Sequence, residues 1–177
     1  MRQILLFVLM LGAACVAAGL YGAVHNQITF SVGPEYFHRL KFAQFRIPAD
    51  LNPRIGAALV GWRASWWMGL VAGLPLAALA AFGGGGRRAG RLFGEAMVIV
   101  IASAAAGAAL SFGLACLAAN PGIAREIVAI RGLDDPVGFL RAGAMHDGSY
   151  LGAGLGLLIA LVRMTLHLRN MNKAGGQ

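Results

Sequence analysis

Residues 4–24 read ILLFVLMLGAACVAAGLYGAV, twenty-one positions without a single charge. A helix rises about 1.5 Å per residue, and about 20 apolar residues cross roughly 30 Å of hydrocarbon. This stretch therefore suffices for one membrane span. Arg2 ahead of it and small residues behind it also suit a secretory signal, whose apolar core runs only about 7–15 residues. The run to Val24 exceeds that length and is read as an uncleaved helix. Gly12-Ala13-Ala14-Cys15 carries glycine where a lipoprotein cleavage box normally has leucine.

Three further stretches match the first: 64–82 with Pro75 inside it, 97–119, and 144–162. The expected fold class is all-α: a polytopic integral membrane protein forming one domain over 1–177, a four-helix transmembrane bundle with a small helical extramembrane layer. Between the spans lie outer loops 25–63 and 120–143, an inner loop 83–96 and an inner tail 163–177. Composition agrees. Of 177 residues 58% are hydrophobic and 12% charged, against about 25% charged in soluble domains. That excludes an ordinary soluble globule and, equally, a disordered chain.

The net charge of +8 is resolved by position. Arg2, Arg87, Arg88, Arg91, Arg163, Arg169 and Lys173 gather in short segments at one side, opposed only by Glu95. The other side sets eight basic residues against six acidic ones. Short basic segments beside span ends face the cytoplasm, which gives N-in/C-in. Tyr21, Trp62, Trp66, Trp67 and Tyr150 fall near the outer span ends, where amphipathic aromatics collect. No nucleic-acid partner is expected, since basic-aromatic interleaving and zinc-finger spacing are absent, as is a phosphate-binding GxxxxGK[ST] loop.

Asn52-Pro53, Asn120-Pro121 and Asp135-Pro136 each place a capping side chain before a proline at the first helical position. Helices are expected to start there, the second running on to 131 with Ile123, Ile127 and Ile130 on one face and Gly132 as its stop, the third to about Arg169. Another is expected over 34–45. Gly83 to Gly86 read as a flexible link. Gly148, Gly152 and Gly156 recur every fourth residue, as do Ser103, Gly107 and Ser111. Such faces admit close helix packing, either within one chain or at a homo-oligomer seam.

Chemistry is sparse. No ionisable residue lies mid-span, so an ion or proton path of the secondary-transporter kind is not expected. Serine has no nucleophile motif, and Cys15 and Cys116 lie at different depths. The candidate site is a set of polar groups at the outer interface: His25, Glu35, His38 and His146, with Asp147 adjoining. Imidazole with carboxylate suits a divalent metal such as zinc or iron, and Glu35 and His38 are spaced to share a helix face. The alternative is structural: Glu35 favoured in a helical first turn, His25 and Asn26 terminating the first helix, His38 on a polar face.

The run His25-Asn26-Gln27-Ile28-Thr29 through Val32 to Glu35-Tyr36-Phe37 resembles a segment of uncharacterised small bacterial multi-span membrane proteins. There a His-[Asn/Asp]-Gln-[Ile/Val]-Thr stretch follows the first span and leads to Glu-Tyr-Phe. The likeness covers thirteen of 177 residues and implies location and topology: a bacterial inner membrane. The expected role is a structural or accessory component without catalysis, its partners the lipid bilayer and a membrane protein or a second copy. The alternative is a metal-binding or redox protein using the outer His/Glu cluster, and a third reading makes His25 or His146 a general base.

Overall fold

The computed structural model describes residues 1–84, 86–127 and 132–174, and those residues are helical throughout apart from turns. Helix α1 is Arg2–Val32 and α2 is Pro34–Tyr36, followed by a π-helical stretch Phe37–Lys41 and α3, Phe42–Gln44. Next come α4, Pro53–Ser65, and α5, Met68–Ala78, which passes into a second π-helical stretch, Leu79–Gly84. The chain finishes with α6, Gly86–Ala118, α7, Pro121–Ile127, and α8, Pro136–Ala174. Three of these helices, α1, α6 and α8, are long and apolar enough to cross a membrane, and α4 with α5 makes a fourth if the bent pair is one span.

Two antiparallel layers form the body. In the first, α1 packs along α4 and α5: Gly22 meets Gly61 and Ser65, Gly69 meets Cys15, and the Phe7 ring lies 6.0 Å from that of Phe82. In the second, α6 packs along α8: Gly148 rests on Gly107 and Ser111, and Gly152 on the Ser103 backbone. A Cβ at Gly156 would stand 2.7 Å from that of Ser103. These approaches need glycine because a side chain would drive backbones apart. One cluster joins the layers, including Met10, Leu76, Phe93, Met97, Val100 and Met164. A second, built on Phe30, Tyr36, Phe37, Val60 and Phe139, closes the end where α1 finishes and α8 begins.

The helices outrun the boundaries expected from hydropathy. Residues 86–96, expected in the inner loop, are the first turns of α6, and the tail from 163 continues α8 to Ala174. Arginine and lysine are good helix formers, so a run of charge marks where the apolar stretch ends, not where the helix does. Glu95 uses the extra turns, accepting from Arg91 Nε at 2.9 Å and from Arg163 Nη2 at 3.0 Å, which ties α6 to α8. Residues 25–32 belong to α1, beyond the expected span, while 53–63 form α4, which starts at Pro53 as its Asn-Pro cap predicts, so the expected outer loop 25–63 is largely helix.

The stretch expected as one span at 64–82 is broken, with α4 and the α5 run bent by 44°. At the break the carbonyls of Trp66 and Trp67 accept from Gly69 and Leu70, both at 3.0 Å, a tight three-residue turn that redirects the axis. Further along, Pro75 has no N–H for the ladder, and the coil widens over Leu79–Gly84. Gly83 and Gly84 are therefore ordered, Gly83 against the Leu168 side chain, while Gly86 turns the chain at φ 53°. The helix expected over 34–45 is interrupted by its π-helical stretch, and α7 is described only to Ile127; Ile130 and Arg131 lie outside the described residues.

The three proline starts are capped by side chains. Asn52 Oδ1 accepts from Arg54 N at 3.0 Å, Asn120 Oδ1 from Ile123 N at 3.0 Å and Asp135 Oδ1 from Gly138 N at 2.8 Å. At the end of α3 the chain reverses through Arg46 at φ 51°, with Ile47 N donating to Phe42 O at 2.9 Å and Arg46 N to Ala43 O at 3.2 Å. That is a Schellman turn closed by a non-glycine residue.

The α6–α8 seam makes a direct prediction. Gly152→Leu lowers stability by at least ~1–3 kcal/mol through overpacking. Gly154→Ala, two residues on with nothing within 4 Å of an added Cβ, leaves it unchanged or slightly raised. Thermal unfolding of the two variants in detergent separates them; equal losses contradict the seam.

Candidate functional site

The polar group at the outer end is assembled by α1, α4 and α8. His25 and Asn26 do not terminate α1, which runs on to Val32; both point into the bundle and are buried, as is Thr29. Asn26 Nδ2 donates to Ala57 O of α4 at 3.0 Å. Its Oδ1 lies 3.0 Å from His146 Nε2 of α8, and accepts from that nitrogen in the tautomer that carries its proton there. One amide thus engages three helices. Thr29 Oγ1 turns back to His25 O at 3.3 Å, satisfying its hydroxyl inside the helix.

The second ring nitrogen of His146, Nδ1, lies 2.8 Å from Ala142 O. Both atoms facing the imidazole are thus oxygen acceptors. A neutral ring has one N–H and makes one of these bonds, whereas the imidazolium makes both. His25 stands against His146 edge to face, ring centroids 5.0 Å apart, and stacks on Tyr21 at 5.7 Å. Its Nε2 is buried and has no hydrogen-bond partner among the described residues. Tyr21 Oη and Ser149 Oγ, 2.8 Å apart, add another bond between α1 and α8.

Below this cluster a cavity of about 160 Å³ separates the layers. Tyr21, His25, Asn26, His146 and Ser149 line its polar end; Met68, Met97, Val100 and Leu157 line the rest. With polar atoms at one end and hydrocarbon around the rest, it has room for a small molecule.

Glu35 and His38 are elsewhere. Glu35, half-buried, accepts from Asp134 N at 3.1 Å and from Asp135 N at 2.6 Å, so its carboxylate is committed to the turn that starts α8. Those two amides hold its carboxyl below the usual value, with Arg39 adding to the effect. His38 is exposed, its ring 5.0 Å from Phe42 and 5.8 Å from Phe30. The π-helical widening after Tyr36 breaks the helical spacing that was to align Glu35 with His38. The expected ligand set of His25, Glu35, His38 and His146 therefore does not assemble. The structure brings together only His25 and His146, and among the described residues no three His, Cys, Asp or Glu side chains are placed to hold a metal ion.

Arg54, which the sequence did not single out, joins Gln27 and Tyr36 of the His25 to Phe37 segment in completing this end. Arg54 donates to Gln27 O at 3.2 Å and to Ser31 Oγ at 3.0 Å, and lies 5.4 Å from the centre of the Phe30 ring. Gln27 answers with a bond to Arg54 O at 3.0 Å. Tyr36 packs on Phe139 and His146, and burial, reinforced by Asp147 and Tyr150, raises its phenol pKa. The signal for Asn26 was its type: an amide inside an apolar helix is most often a bridge to a neighbour.

The chain matches no protein-family model, no curated protein and no solved structure.

Glu35 carries a pH prediction. Its folded pKa lies below the ordinary 4.5, so its contribution is complete above that value and is lost as pH falls through the folded one. Glu35→Gln is therefore less stable than the parent near neutral pH, and the gap closes in acid below 4.5. Unfolding midpoints across that window check it; a constant gap denies the carboxylate its role.

Proposed function

We propose that this chain is an integral membrane protein of the bacterial inner membrane, N-in/C-in, serving as a structural or accessory component without catalysis of its own. The bend between α4 and α5 lies within one span, so the two layers are two transmembrane hairpins. One observation carries the reading: the packing is inverted. Leu5 and Leu9 of α1 are each 60% exposed, Leu110 of α6 66% and Leu151 of α8 75%. The interior is filled largely by alanine, among them Ala14, Ala77, Ala80, Ala96 and Ala104. A water-soluble bundle buries its largest apolar side chains; one immersed in lipid has no reason to, and packs on small residues instead.

The non-catalytic reading is supported by how the polar side chains are spent. Asn26, His146, Gln27, Arg54 and Glu35 bond to backbone and to one another across helices. Such bonds fix helix positions and hold the outer face rigid over a buried aromatic core that includes Tyr36 and Phe139. A rigid face of this kind suits docking to a membrane protein or to a second copy.

Insertion and orientation are tested together. The protein is expected to stay in the membrane pellet after alkaline carbonate. Reporter fusions after Lys173 are expected to be active only in the cytoplasm, and those at Gly132 only outside. Release by carbonate, or the opposite fusion pattern, overturns the assignment.

A further inference from the structure

Glu95, Arg91 and Arg163 form an ion-pair cluster that joins α6 to α8. They also line a pocket of about 310 Å³ between those helices, with Arg88 and His167 at its rim. Its charge is lopsided. Three guanidiniums face one carboxylate, and Glu95 takes one donor from each of two of them. Each guanidinium carries five N–H groups, so most of their donors make no bond to protein among the described residues. Arg91 and Arg163 remain 83% and 62% exposed, and Arg88 is exposed with no side-chain bond among the described residues.

The other wall is hydrocarbon. Leu92, Ala96, Ile99, Ala160 and Met164 line the same pocket, and Val98 and Val162, next toward the middle of α6 and α8, are exposed apolar side chains. A guanidinium cluster set immediately above such a surface matches a molecule with an anionic head and apolar tails. A soluble anion has no use for the hydrocarbon wall, and a zwitterionic lipid gains less from a net positive pocket.

We propose that this pocket binds the phosphate of an anionic phospholipid of the inner leaflet, with Arg88, Arg91 and Arg163 as its donors. The proposal rests on the membrane reading above and adds a ligand to it. Glu95 then serves as a positioning residue, holding Arg91 and Arg163 on one side of the pocket so that their remaining N–H groups converge. Basic pockets between membrane helices at the cytoplasmic end are suited to such headgroups, each basic residue near the surface contributing about a fivefold gain in binding.

The test uses the full chain purified in a zwitterionic detergent, after its carbonate resistance has been established. Phosphatidylglycerol, phosphatidylcholine and inorganic phosphate are each titrated, reading retained lipid by native mass spectrometry and the shift in melting temperature. Phosphatidylglycerol is expected to be retained about tenfold better than phosphatidylcholine. Phosphate at millimolar concentration is expected neither to stabilise nor to displace it. Arg88→Gln, which disturbs none of the bonds above, is expected to reduce the preference severalfold, and Arg88→Gln with Arg163→Gln to abolish it. Arg169→Gln, outside the pocket, keeps it. Equal retention of the two lipids, a preference unchanged in Arg88→Gln, or displacement by free phosphate overturns the proposal while leaving the membrane assignment intact. Carbonate release overturns both.

Discussion

The side-chain amide of Asn26 is the point on which the half of the molecule where α1 finishes and α8 begins depends. It is buried on α1, and each of its polar ends goes to a different helix: Nδ2 to the backbone of α4, Oδ1 to His146 on α8. A buried amide left unpaired costs more than the bond is worth when made. The amide therefore selects against arrangements that separate α4 or α8 from α1. Around it, the half-buried Tyr21–Ser149 bond adds a second tie between α1 and α8, and the exposed Arg54 bonds to Gln27 and Ser31 add weaker ones between α1 and α4. The aromatic cluster of Phe30, Tyr36, Phe37 and Phe139 then seals the end.

At the opposite end the layers are joined differently. There the core is alanine, methionine and leucine, and α6 and α8 are locked by Glu95 between two arginines in an exposed setting. Exposed pairs of this kind contribute little each, so that end is held mainly by the apolar cluster that includes Leu92, Phe93, Ala96 and Met164, while the glycine and serine seam lies farther along the same two helices, toward His146 and Ser149. One end is fixed by hydrogen bonds between helices, the other by apolar packing. That division also leaves the arginines of the second end available to meet something outside the protein.

Much of this was legible in the sequence, and the physical reasons for the rest are plain. Apolar runs marked the helices because hydropathy reports burial in hydrocarbon. The proline starts were readable because Asn52, Asn120 and Asp135 act within three residues of themselves. Where helices end was not readable, because arginine and lysine continue a helix as well as leucine does. Nor was the break at Trp66-Trp67, which no proline or glycine announces. In the candidate site the pairing of His25 with His146 followed from depth along the helices. Glu35 and His38 were misassigned because their spacing presumes 3.6 residues per turn, and the chain widens between them. The role of Asn26 depends on where α4 and α8 arrive, which no local pattern contains.

The most direct test of the account is a double-mutant cycle between Asn26 and His146, measured as unfolding free energy in detergent with Asn26→Ala, His146→Ala and the pair. A bond between helices predicts that the two losses fail to add, with a coupling of about 0.6–1.7 kcal/mol, the range for hydrogen bonds between membrane helices. Losses that add to within about 0.3 kcal/mol would contradict it, and with it the claim that one amide holds the three helices in place.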